Sequence, residues 1–351
     1  LQDERKLTTM AADPGVRKTF LSEEMVGDLI RSTVTRETGI NLGLLYNAGA
    51  SSVYPVDSLR SPAFTREYGL SPSIMDDVPC NYIAQPGDLE RGVRMTPKGL
   101  GEYDYYVIHW LYKPISPAAT PWDEFAVLDG WIKEGRGNPN LRYGKMPYYY
   151  YDPTSFSGDL GDDHLKALRY AINNLKLSLR HFYRWYADQR KRAAMYNALG
   201  YQLRKRINDL SVNLGGFYQH EAFSDENTPS YVVVPRETQR AALKYMVELA
   251  KDLSWLDNKE VERKLEIRNS MEDQIRGFIL GTLTFRIKYV ALGAEKGGDY
   301  SVKEYVNDIY NTVWEGTIKN RPLKKYEMDL QKDFLGSVVA SSTAATTAGN
   351  F

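Results

Sequence analysis

The sequence predicts a mainly α fold with irregular, loop-rich regions in its first half. Three observations carry this. Between residues 22 and 44, Met25, Val26, Leu29, Ile30, Val34 and Leu42 recur at helical spacing, giving one apolar face. The stretch that follows, to about residue 160, is interrupted by Gly and Pro, among them Pro114, Pro117 and Pro121. From about residue 160 onward, segment after segment carries an apolar stripe of helical period.

In chain order, residues 1–21 read as a polar lead-in. Ser22 can cap a helix whose first turn holds Glu23 and Glu24, where the dipole favours acids. Gly43 can take the left-handed conformation that ends that helix and turns the chain. Loops follow to about residue 100, and Tyr105, Ile108, His109 and Tyr112 suggest a helix over 101–113. Residues 114–160 read as irregular, with Gly144–Tyr151 extended. A stripe of Leu165, Leu168, Ala171, Ile172, Leu175 and Leu179 predicts a helix over 162–187. Further helices are expected at 189–214, 236–252, 271–290, 301–316 and 323–338, with Pro235 just before one start. Asn213–His220 and Val232–Val234 can pair as a short hairpin. The Ser-, Thr-, Ala- and Gly-rich tail 341–351 reads as flexible. The resulting division is 1–113, a connector over 114–160, a helical domain over 161–340, and the tail.

Residues 36–46 read Arg-Glu-Thr-Gly-Ile-Asn-Leu-Gly-Leu-Leu-Tyr. They fit the zinc helix H-E-x-x-H-x-x-G-x-x-H, in which three imidazoles bind zinc and the Glu is general base. Glu37 and Gly43 keep their places, while Arg36, Ile40 and Tyr46 stand where the three ligands would be. Ser73-Ile74-Met75-Asp76 downstream supplies a Met-turn, and Asn81-Tyr82-Ile83-Ala84-Gln85-Pro86 follows it.

This run resembles a family of large bacterial zinc-dependent metalloproteases of the metzincin type, whose C-terminal region is catalogued as a domain of unknown function. In that family the helix reads like H-E-x-G-H-x-L-G-L-x-H-N, followed by S-I-M-D and N-Y-x-A-Q-P. The resemblance is specific over residues 10–113 and continues more weakly through Asp159-Leu160-Gly161-Asp162-Asp163. It implies the C-terminal part of a metzincin-like catalytic domain followed by a helical domain. It implies an exported protein of the periplasm, outer membrane or cell surface. It also implies that a sheet should precede the zinc helix. With that helix starting at Ser22, the chain is expected to be part of a longer protein, its N-terminal part a natural partner.

The ligand positions depart from the family. Arginine is a permanent cation and cannot coordinate zinc, Ile40 has no donor atom, and one phenol does not make a site. The four His residues, His109, His164, His181 and His220, and the single Cys80 lie outside the motif. Zinc, expected for the family, is therefore not expected here, and Glu37 has no metal-bound water to activate. Arg36 can replace the metal's positive charge if Glu37 or Asp76 pairs with it, or it can swing into solvent. The expected function is an inactive metallopeptidase homologue that binds a peptide or protein, or assembles with an outer-membrane complex. The alternative is an active endopeptidase using non-standard ligands or ligands from a missing N-terminal part.

Composition narrows the partners. Lys and Arg number 45, Asp and Glu 45, so no basic excess points to nucleic acid. No apolar run approaches the ~18–20 residues of a membrane span. A single Cys supports no intrachain disulfide framework. Tyr148–Tyr151, Phe182, Tyr183, Trp185 and Tyr186 can line a peptide or glycan groove or cover a seam between domains. Arg190, Lys191, Arg192, Arg204, Lys205 and Arg206 read as a solvated helix face. Asp159, Asp162 and Asp163 read as helix caps.

Overall fold

The computed structural model describes residues 8–18, 20–116, 120–145, 151–186, 188–220, 227–267 and 269–348. The fold is mainly α. It divides into two units, one formed by residues 1–148 and 154–174, the other by 149–153 and 175–351.

The first unit begins with helix α1, Glu23–Asn41, capped by Ser22, whose hydroxyl accepts from the Met25 amide at 3.3 Å. Its C-terminus closes as a Schellman turn. The Leu44 amide donates to Gly39 and the Gly43 amide to Ile40, with Gly43 at φ +88°. The inward side of α1 is not the apolar face that the spacing predicts. Leu29 and Gly39 are buried, with Ser32, Thr33 and Arg36 half-buried, whereas Ile30, Val34 and Leu42 are exposed. The helix approaches its neighbour through small residues, and this leaves the bulky ones in solvent.

Short helix α2, Pro62–Tyr68, follows, capped by Ser61. Helix α3, Glu102–Tyr112, starts at Gly101. The stretch read as an irregular connector contains a helix, α4, Pro121–Gly135, with no buried residue. Pro121 sits at its first position, where the missing N–H costs nothing, and Asp123 accepts from the Thr120 amide and hydroxyl. Helix α5, His164–Trp185, contributes residues up to 174 to this unit and the remainder to the other. The core is formed by Val56, Leu59, Leu70, Val78, Ile83 and Leu160, against Ala167 and Ala171 of α5. Tyr148–Tyr150 lie outside the described residues.

The second unit holds α6, Gln189–Ser211, strands β1, Phe217–Gln219, and β2, Tyr231–Val233, and α7, Arg236–Lys251. It continues with α8, Lys259–Lys264, α9, Met271–Glu295, α10, Val302–Val313, α11, Glu315–Ile318, and α12, Lys325–Ala348. The strands pair antiparallel with Phe217 opposite Val233, as the expected hairpin. Helix α9 packs against α6, α7, α10 and α12, burying Ile275, Ile279 and Leu283 at i, i+4 spacing. Two expectations need correction. Residues 341–348, expected as poorly structured, continue helix α12. Arg206 is not on a solvated face: it is buried and donates to Asp209 at 2.9 Å.

Candidate functional site

The Met-turn lies directly under α1. Met75 is fully buried, packed with Leu44 and Ile74 against Val107 and Ile108 of α3. A Cβ on Gly39 would stand 2.7 Å from the Met75 Sδ, so only glycine lets the turn come this close. Asp104, in the first turn of α3, holds the turn from the other side. Its carboxylate accepts from the Ser73 hydroxyl at 2.7 Å, the Ile74 amide at 2.9 Å and the Gly101 amide at 2.8 Å. Burial outweighs these bonds and pushes its carboxyl above the ordinary range.

Asn47 ties the chain after Gly43 to the same region. Its amide donates to the Met75 carbonyl at 3.1 Å. Its side chain donates to the Arg142 carbonyl at 2.9 Å and accepts from the Gly144 amide at 2.8 Å. Asn47 is fully buried. A Cβ on Gly144 would stand 2.4 Å from the Gly49 Cα, so the two backbones meet there without side chains.

These contacts shape a cleft of ≈ 190 Å³ lined by Arg36, Tyr46, Ala48, Met75, Asp77 and Ser157. The structure thus brings two of the three positions where the family resemblance expects ligands, Arg36 and Tyr46, to one cleft. Ile40 does not line it and is exposed, as is Glu37. Arg36 is paired, but not with the expected Glu37 or Asp76. Its Nη1 donates to Asp77 at 2.9 Å, with the two side chains 22% and 49% exposed. The other Asp77 oxygen accepts from the Ser157 hydroxyl at 2.9 Å. Glu37, the next residue on the helix, points about 100° away from Arg36 and into solvent. Asp76 turns into the core, where it accepts from the Ser51 amide at 2.6 Å.

Asp76 stands in a buried polar chain. The Ser51 hydroxyl donates to Asp159, and the other Asp159 oxygen lies 3.1 Å from His164 Nε2. Burial first, and then the nearby Asp159 charge, push the Asp76 carboxyl well above the usual range. Of the three aspartates expected to be caps, only Asp163 caps α5, accepting from the Lys166 amide at 3.0 Å. Asp162 accepts from the Val56 amide at 3.1 Å, and Asp159 belongs to the buried chain. Single-sequence reading missed Asp77, Ser157 and Asp104. Asp77 follows the Met-turn directly and had a local signal; Ser157 comes from 80 residues away and had none.

The donor set at the former ligand positions does not fit zinc: a guanidinium, a side chain without a donor, and a half-exposed phenol. Among the described residues, no group of three or more His, Cys, Asp or Glu side chains is placed to hold a metal ion. No described helix is long and apolar enough to cross a membrane.

A helix ended by a glycine turn and packed on a buried methionine turn is the arrangement that the metzincin motifs describe. The Met-zincin family profile matches residues 18–321, most of the chain, and the protein belongs to that family. No curated protein sequence and no solved structure matches it significantly.

Proposed function

We propose that this metallopeptidase-like protein binds polypeptide without cleaving it. The observation that carries the reading is the Arg36–Asp77 ion pair in the cleft, where a family member would present a ligated metal. A cation with fixed hydrogen-bond donors keeps the local charge, but it offers no open coordination position for a water nucleophile. Support for binding comes from exposed apolar side chains on the turn after α1. Tyr46, which lines the cleft, is 50% exposed and its neighbour Leu45 68%. Such side chains beside a cleft suit a protein or peptide partner. We place the protein at the bacterial cell envelope, with a peptide or an outer-membrane assembly as partner; the support is family resemblance alone.

The test uses the purified chain with a fluorogenic peptide library, with zinc or with chelator. No chelator-sensitive hydrolysis is expected, together with saturable binding of a peptide subset. Tyr46→Ala should weaken that binding about tenfold, the cost of ~1.4 kcal/mol expected for a lost aromatic anchor. Chelator-sensitive cleavage would overturn the reading.

A further inference from the structure

Five aromatic side chains of the second unit form one unbroken run of ring contacts. Phe285 meets Tyr289 at 5.4 Å between ring centres, and Tyr289 meets Tyr151 at 5.5 Å. Tyr151 then meets Phe217 at 6.1 Å, and Phe217 meets Tyr231 at 5.8 Å. The last three contacts are edge-to-face, at 69°, 74° and 89°, so each ring fixes the tilt of the next. The run surfaces at both ends: Phe285 is 53% and Tyr231 40% exposed, while Phe217 is buried.

A lysine stands at each end. The Lys288 ammonium lies 4.1 Å from the Phe285 ring centre, and that of Lys296 lies 5.6 Å from the Tyr231 ring centre. Both lysines are exposed, and among the described residues no carboxylate pairs with either. We infer that this strip docks an acidic, extended polypeptide segment. Two carboxylates four residues apart meet Lys288 and Lys296, and an apolar side chain midway between them rests on the rings.

The spacing follows from helix geometry. Lys288 lies in α9 and Lys296 caps its end. Their separation in sequence, at 1.5 Å per residue, puts them about 12 Å apart along the helix axis. An extended chain covers that distance in about four residues. Residues i, i+2 and i+4 of such a chain share a face, so both acids and the central apolar side chain point at the strip together. Charge selects the partner: two cations at the ends of an apolar strip favour a ligand negative at both ends. A nucleic-acid single strand would lay its bases flat on ring faces and run its phosphates along a cationic groove. Here the rings lean edge-to-face and exposed lysines flank the run at its ends. The ring contacts also hold the strip in shape before anything binds, which lowers the entropy lost on docking. The site lies within the second unit and stands whether or not the cleft of the first unit binds peptide.

The test is fluorescence anisotropy of the full chain with a blocked, labelled heptapeptide, Gly-Glu-Ser-Leu-Ser-Glu-Gly, at low salt. Saturable binding is expected, falling with added salt. Replacing both Glu of the peptide with Gln should weaken it about tenfold, as should placing the two Glu side by side. Lys288→Glu with Lys296→Glu should abolish binding in a protein whose circular dichroism is unchanged, and Phe285→Ala should weaken it about tenfold. No saturable binding, equal binding of the Glu and Gln peptides, or full binding by the double lysine variant overturns the inference. So does a single-stranded oligonucleotide or an anionic glycan that binds more tightly than the peptide and is lost in that double variant.

Discussion

Gly39→Ala should destabilise this protein, although alanine is the better helix former. Gly39 lies in α1, where replacing glycine with alanine ordinarily gains ~1 kcal/mol. Here the new methyl would stand 2.7 Å from the Met75 Sδ. The sulfur is not the free tip of a mobile chain: Met75 is fully buried between Leu44, Ile74, Val107 and Ile108. Forcing a methyl into such a site costs ~1–3 kcal/mol, so the net loss should be about 0–2 kcal/mol. For a unit of this size that is a fall of up to ~8 °C in Tm. Gly27→Ala is the control. It lies in the same helix, nothing stands within 4 Å of its Cβ, and it should gain up to ~1 kcal/mol. Equilibrium urea denaturation of both variants reads the difference, with an unchanged m value showing that stability alone has moved. If Gly39→Ala rises in midpoint alongside Gly27→Ala, the close packing of helix on Met-turn is refuted.

Asn47→Ala should cost ~1–3 kcal/mol for each buried backbone group it orphans, the Arg142 carbonyl and the Gly144 amide first; denaturation midpoints measure it. Asp76→Asn addresses pH. The folded state holds the Asp76 proton more tightly than the unfolded chain does, because burial raises its pKa. Its contribution to stability is therefore most favourable at low pH and is lost as pH rises from the usual carboxylate range towards the raised value. The variant should lose that slope and match or exceed the parent at neutral pH; an unchanged slope would count against a neutral Asp76. Arg36→His with Ile40→His and Tyr46→His should confer stoichiometric zinc by elemental analysis, since 36 and 40 share a helix face and 46 lines the same cleft as 36. Zinc bound by the parent at the same level would mean that ligands come from elsewhere.

Much of this protein was readable from local pattern. Ser22, Gly43 and the periodic stripes are short-range signals, and helix starts, stops and the hairpin depend on neighbours a few residues apart. Those expectations match α1, α3, α5, α6, α7, α9, α10 and α12, while the short helix α8 was not expected. The family is legible for the same reason: Glu37, Gly39, Gly43 and Ser73–Asp76 lie in two short runs. Where local pattern misled, packing had overridden it. Ile30 and Val34 look like a core face but are exposed, because α1 buries Gly39 against Met75 and a bulkier side could not come as near. Helix α4 was hidden by its Pro- and Gly-rich surroundings, although Pro121 and Asp123 are good start signals.

By itself the sequence determined that Arg36, Ile40 and Tyr46 stand where the family resemblance expects zinc ligands and that Ser73-Ile74-Met75-Asp76 follows, since both depend only on residue identity and spacing. Tertiary structure alone decided which carboxylate Arg36 pairs with. Arg36 had three aspartate or glutamate neighbours to choose from, Glu37, Asp76 and Asp77. The choice followed from direction: the helix turns Glu37 outward, the Ser51 amide draws Asp76 into the core, and Ser157 helps hold Asp77 at the cleft. Side-chain direction across 41 residues of chain is a property of packing, and no spacing rule encodes it.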